Sequence, residues 1–162
     1  MQQLKPINST RGFSLVEVLV TILMLSLGLL GIASMQLKAL EYNQGAYLRS
    51  QAVVLGYDIL DRMRANKSGI TSSSYDGINT NTITTGSDCE AASCTSANMA
   101  SYDAHQWKLN IESLLPSGVG ITSQNGNIMT ITIMWDEQRT GTAPGSATCS
   151  DFKCFVVTAQ IQ

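Results

Sequence analysis

A chain of 162 residues with a formal net charge of −2 and 14% charged residues has room for one modest domain and an anchor, but not for two independent cores. Soluble domains carry about 25% charged residues. The shortfall lies in an apolar N-terminal run and a Ser/Thr/Asn/Gly-rich remainder. Two of the cations, Lys5 and Arg11, fall within residues 1–12, so the rest is more acidic still. That balance argues against a nucleic-acid binder, which needs a basic patch.

The chain opens with a short basic leader that ends at Gly12. An apolar run, Phe13 to Met35, follows and holds a single charge, Glu17. A helix of that length spans about 30–35 Å, enough to cross a bilayer. Cations before the run place the N-terminus in the cytoplasm and the remainder outside. The run is too long for a secretory signal peptide, and Ala33-Ser34-Met35 is a poor cut site. No cysteine follows closely enough for a lipoprotein cut. A plain signal anchor gives no reason for Glu17. A carboxylate at such a place costs at least ~2–3 kcal/mol and marks a function.

Helical spacing continues past the membrane run. Leu37, Leu40, Leu48, Ala52, Leu55, Ile59 and Met63 recur every three or four residues, with a polar break at Gln44. Lys38, Glu41, Arg49, Asp58, Asp61 and Arg64 take the other face, and no proline interrupts residues 13–67. One helix is therefore expected from Ser14 to Ala65, about 75–80 Å long. Gly28 and Gly31 weaken it locally, and serve either close helix packing or a bend on assembly. Ser68 to Ser96 reads as a long surface connection with short strands near Ile78 and Ile83. Met99, Asp103, Trp107, Ile111 and Leu115 set out a second helix, capped by Thr95 or Ser96 and stopped by Pro116. Strands follow at Val119–Thr122, Ile128–Trp135 and from Phe152 or Cys154 to Ile161, with a tight turn at Asn125-Gly126 and a loop from Arg139 to Thr148. The expected fold is α+β: a long N-terminal helix, its first half membrane-spanning, packed on a small antiparallel sheet of three to four strands. The segments are a leader (1–12), an anchor (13–35), the outer half of the helix (36–67) and a head (68–162).

Cys89/Cys94 and Cys149/Cys154 form two C-x4-C pairs. Outside the membrane, an even cysteine count favours disulfides over zinc, whose sites usually use tighter C-x2-C spacing. Of three possible pairings the local ones, Cys89–Cys94 and Cys149–Cys154, are favoured because each closes a short loop. They would shape loops more than hold the core.

Catalytic signals are weak. His105 is the only histidine and has no evident partner. Asp58 and Asp61, with Arg62 and Arg64 beside them, read as a solvated helix face. Gly118-Val119-Gly120 lacks the rest of a nucleotide loop. Trp107 and Trp135 read as core. Asp136, Glu137 and Asp151 could gather near the sheet edge, but their spacing makes no calcium loop. The expectation is a non-enzyme with no cofactor and no metal site.

The block Gly12-Phe13-Ser14-Leu15-Val16-Glu17-Val18-Leu19-Val20 resembles the class III signal of the type IV prepilin family. Resemblance implies cleavage between Gly12 and Phe13 by a prepilin peptidase, and N-methylation of the new Phe13 amine. Gly12 suits a tight protease site because it has no side chain. In a fibre, Glu17 of one subunit would pair with the Phe13 amine of a neighbour, so that a buried charge gains its partner on assembly.

Further blocks are similar to PilV-type minor pilins, the type IV pilus modification proteins. They are Asp61 to Asn66, Ala100 to Trp107, Leu115 to Gly118 and Thr130 to Trp135. This implies a low-abundance subunit that primes fibre assembly with other minor pilins and the major pilin. It would sit in the inner membrane with a periplasmic head, then at the fibre tip, often with a large adhesin. Twitching motility and attachment would follow. A pseudopilin of a type II secretion system is the alternative. A DNA-uptake pilin fits less well, because Lys67, Lys108, Arg139 and Lys153 are scattered.

Overall fold

A computed structural model describes residues 12–142, 144, 149 and 152–161. Residues 1–11 of the leader lie outside the described residues, as do Asp151 and residues 143 and 145–148 of the expected loop. Helix α1 (Leu15–Ala65) is followed by the short α2 (Lys67–Thr71), α3 (Ser96–Leu114) and three strands. These are β1 (Val119–Asn125), β2 (Ile128–Trp135) and β3 (Lys153–Gln160). The chain divides into two compact units, Met1–Asn43 and Gln44–Gln162. Helix α1 contributes to both.

In the first unit α1 starts one residue later than Ser14. The Ser14 carbonyl accepts from the Glu17 and Val18 amides at 3.0 and 3.3 Å, closing the first turn. The side chains along this stretch are exposed. Leu37 and Leu40, which share the spacing of the outer helix face, are exposed too.

In the second unit the buried face of α1 begins at Leu48 and runs through Ala52, Leu55, Ile59, Leu60 and Met63. It packs in one core with Trp107, Ile111, Met129, Ile131, Ile133 and Trp135. The Thr95 hydroxyl caps α3 by accepting from the Asn98 amide at 3.2 Å. The sheet is antiparallel in the order β1-β2-β3, with Val119 opposite Met134 and Ile131 opposite Val157.

Four details differ from the sequence reading. First, α2 occupies the start of the supposed surface connection, because the Asn66 side chain accepts from the Gly69 amide at 3.2 Å and starts a new turn. Second, the expected strands near Ile78 and Ile83 reduce to one bridge, Asn79 to Ile121, and Ile83 is outside any strand. Third, β1 extends through Ser123, Gln124 and Asn125. Fourth, the hairpin turn shifts by one: Asn125 pairs with Ile128, leaving Gly126 and Asn127 as the loop. Gly126 has φ +58°. A glycine with positive φ at the first loop position matches a type II′ turn, not the type I′ turn that Asn-Gly favours.

Candidate functional site

The residues of the N-terminal signal lie together at the start of α1. Phe13 is 83% exposed, and a Cβ added at Gly12 would meet nothing within 4 Å. Glu17 occupies the first helical turn, where the positive end of the helix dipole favours a carboxylate. The stretch beyond it is long and apolar enough to cross a membrane.

Its hydroxyls do not spoil that character. Thr21 donates to the Val18 carbonyl at 2.8 Å, Ser26 to Ile22 at 2.8 Å and Ser34 to Gly31 at 3.0 Å. Each returns its polar hydrogen to the helix itself, as a lipid-facing hydroxyl must. Glu17 has no hydrogen-bond or ion-pair partner among the described residues. It is the one charge in a helical stretch whose Thr21, Ser26 and Ser34 hydroxyls are satisfied locally.

A second exposed surface lies on α1 in the head. Tyr47, Val54 and Tyr57 are exposed and, with Ser50 and Asp61, alternate spacings of three and four. That is the seam spacing of packed helices.

Other predicted residues have structural places. Cys89 bonds to Cys94 and Cys149 to Cys154, with Cα–Cα distances of 5.5 and 5.8 Å. The Trp107 indole donates to the Leu55 carbonyl at 2.9 Å inside the core. Half-buried His105 packs against Gly86, where an added Cβ would approach the His105 Cβ to 2.5 Å. Lys108 donates to the Ile83 carbonyl at 2.7 Å and pairs with Glu112, which removes one cation from any basic strip. No group of three His, Cys, Asp or Glu side chains suited to a metal occurs among the described residues. Asp136 and Glu137 diverge: Glu137 lies against Gly45, while Asp136 turns into its own loop.

Asp136 accepts from the Thr140 hydroxyl and the Gly141 amide, both at 2.9 Å. Burial opposes its ionisation, but these bonds and the nearby Thr140 and Arg139 amides outweigh it and hold its carboxyl below the usual range. A carboxylate depressed in the fold stabilises above its unfolded value of about 4, and that stability is lost as pH falls through the folded value. Asp136→Asn should therefore melt lower than wild type at pH 7. The two should converge as pH falls through the folded value, read by thermal unfolding at acid pH.

A polar network that the sequence reading missed joins α1, α3 and the connection between them. Arg62 pairs with Asp58 at 3.1 Å and with Asp103 at 3.3 Å. The buried Tyr75 hydroxyl donates to Asp103 at 2.6 Å. Asn66 donates to the Tyr75 oxygen at 3.1 Å and to the Ser96 carbonyl at 2.7 Å. Burial pushes the Tyr75 phenol well above its usual value, and the bond to Asp103 adds to the rise. The available signal was Asp103 itself, an acid on the buried face of α3.

Comparison with known families agrees with this arrangement. Residues 34–105 match the family model described as type IV pilin Tt1218, and residues 7–33 match the prokaryotic N-terminal methylation motif. No curated protein and no solved structure matches the chain. The methylation motif implies processing by a prepilin peptidase and pilin–pilin assembly. With a long N-terminal helix packed on a three-stranded antiparallel sheet and two adjoining family matches, the chain belongs to the type IV prepilin family.

Proposed function

We propose that this protein is a minor type IV pilin, a non-catalytic subunit cut between Gly12 and Phe13 and methylated at Phe13. It would enter the fibre through Glu17. The observation that carries this reading is Glu17, without a side-chain partner among the described residues, at the head of a helix whose Thr21, Ser26 and Ser34 hydroxyls bond to its own carbonyls. Once the leader with Lys5 and Arg11 is cut away, a carboxylate there needs a cationic partner, and the Phe13 amine of a neighbouring subunit supplies one. The Tyr47/Val54/Tyr57 stripe supports the same reading, because it offers a second helix three exposed side chains at seam spacing, with polar Ser50 and Asp61 between and beyond them. In this role the protein waits in the inner membrane with its head in the periplasm. It then joins other minor pilins at the tip to prime assembly, supporting twitching motility and adhesion.

The PilV-type reading draws support from its blocks being central to the head. Arg62 and Asn66 from the first block reach Asp103 from the second and the neighbouring Ser96. Trp107 from the second packs where the strand after the third begins.

Glu17→Ala should leave cleavage and methylation intact and reduce the subunit in sheared fibres severalfold, measured by quantitative mass spectrometry. Wild-type incorporation would refute the pairing. Deletion separates the alternatives: loss of pili favours the minor pilin, and loss of protein secretion with pili retained favours the pseudopilin.

A further inference from the structure

The two edges of the sheet are treated differently. The outward amides of β1 are occupied. Gly120 donates to the Thr80 hydroxyl at 2.9 Å, Thr122 to the Ile78 carbonyl at 2.9 Å and Gln124 to the Asp76 carboxylate at 2.7 Å. The Thr80 amide in turn donates to the Gly120 carbonyl at 3.0 Å. That edge is closed by residues 76–80.

Among the described residues, the β3 edge has no such cover. The Ile161 amide donates to the Asn127 carbonyl at 3.0 Å, and the register pairs Met129 with Ala159, Ile131 with Val157 and Ile133 with Phe155. Antiparallel ladders alternate, so Phe155, Val157 and Ala159 bond inward to β2. Cys154, Val156, Thr158 and Gln160 therefore turn their amides and carbonyls outward. None of these outward groups has a backbone partner among the described residues. The strand is eight residues long, holds no proline, and its one charge is Lys153 at its start. Val156 is 48% exposed. Natural edges are usually guarded by charge, proline, a bulge or a cover, and among the described residues the middle of the strand carries none.

The chemistry of the groove end selects the occupant. A cavity of about 430 Å³ lies where β3 ends, lined by Arg64, Lys67, Ile70, Gln160 and Ile161. Arg64 already pairs with Asp61 at 2.9 Å, and Lys67, which has no ion-pair partner among the described residues, calls for a carboxylate. Within residues 153–160 a second copy of β3 offers no acid; Asp151 lies two residues before it. Antiparallel self-pairing would instead carry Lys153 toward Arg64 and Lys67, like charge against like.

We propose that β3 receives an extended segment of a different polypeptide as a fourth strand, with a carboxylate at the end that reaches Lys67. The outward amides and carbonyls would supply affinity, and Lys67 would fix direction. Exposed Val156 and Thr158 favour β-branched or aromatic residues opposite them.

The test places a photo-crosslinking residue at Val156 in the full chain, expressed in cells that assemble it, and maps the adduct by mass spectrometry. It is read on the membrane-anchored protein as well as on fibres, so failed fibre entry does not decide it. The expected adduct is an extended segment of another polypeptide with an acidic residue or terminal carboxylate toward Gln160. Thr158→Pro removes an outward amide and no bond to β2, and should lower adduct yield about tenfold or more while leaving the melting temperature near wild type. Thr158→Lys should act in the same direction and serves if the proline variant fails to fold. Lys67→Glu should also reduce the yield. Adducts confined to a second copy or to a helical segment would overturn the proposal. So would the absence of an adduct, or yields unchanged by Thr158→Lys and Lys67→Glu.

Discussion

Gly12→Leu is expected to leave the protein as an uncut precursor that retains residues 1–12, with little or no mature form. Nothing in the fold requires glycine at this position: an added side chain would stand in open space. On the proposed processing, the restriction to glycine would come from a protease that accepts the backbone closely. Intact-mass measurement of the membrane fraction should show the leader in the variant, and an N-methylated Phe13 terminus in the wild type. The head should melt at the same temperature in both, which separates blocked processing from misfolding. Normal cleavage of the leucine variant would remove the prepilin-processing role assigned to Gly12.

Gly120→Val should have the opposite character, with damage inside the head and none at the signal. A Cβ at Gly120 would lie 2.6 Å from both the Trp107 Cζ3 and the Ile111 Cδ1. Both neighbours are fully buried, and Trp107 is held by its bond to Leu55. Overpacking a filled core typically costs ~1–3 kcal/mol, and an immobile indole puts this site near the upper end. For a domain of this size that is a fall of roughly 10 °C in melting temperature, measured by thermal unfolding of the purified full chain. Trp107→Leu is also destabilising alone, but it opens space for the valine. The double variant should lose less than the two single losses combined, as expected of residues in contact.

The long elements were legible because burial imposed a period. Leu48, Ala52, Leu55, Ile59 and Met63 are buried as their spacing requires, and α3 follows Trp107 and Ile111 in the same way. Leu37 and Leu40 keep that spacing yet remain exposed, since periodicity reports an apolar face and not what covers it. Helix α2 was hidden because five residues are too few to show a period. The end of β1 was hidden because Ser123 and Asn125 are exposed and polar. Asn125-Gly126 located the hairpin but missed its register, because the turn uses positive φ only at the glycine. The N-terminal signal was plain in the sequence for a different reason. Its residues answer to partners outside the chain, so their pattern is local and owes nothing to packing.

The bond from Tyr75 to Asp103 gives the head an alkaline limit. With the phenol's folded value raised above its unfolded value of about 10, its contribution to stability is complete below that pH. It is lost as pH climbs toward the folded value, because only the unfolded chain readily gives up the proton. Absorbance near the phenolate band should show this tyrosine resisting ionisation until the head opens. Tyr75→Phe should remove that coupling between ionisation and unfolding.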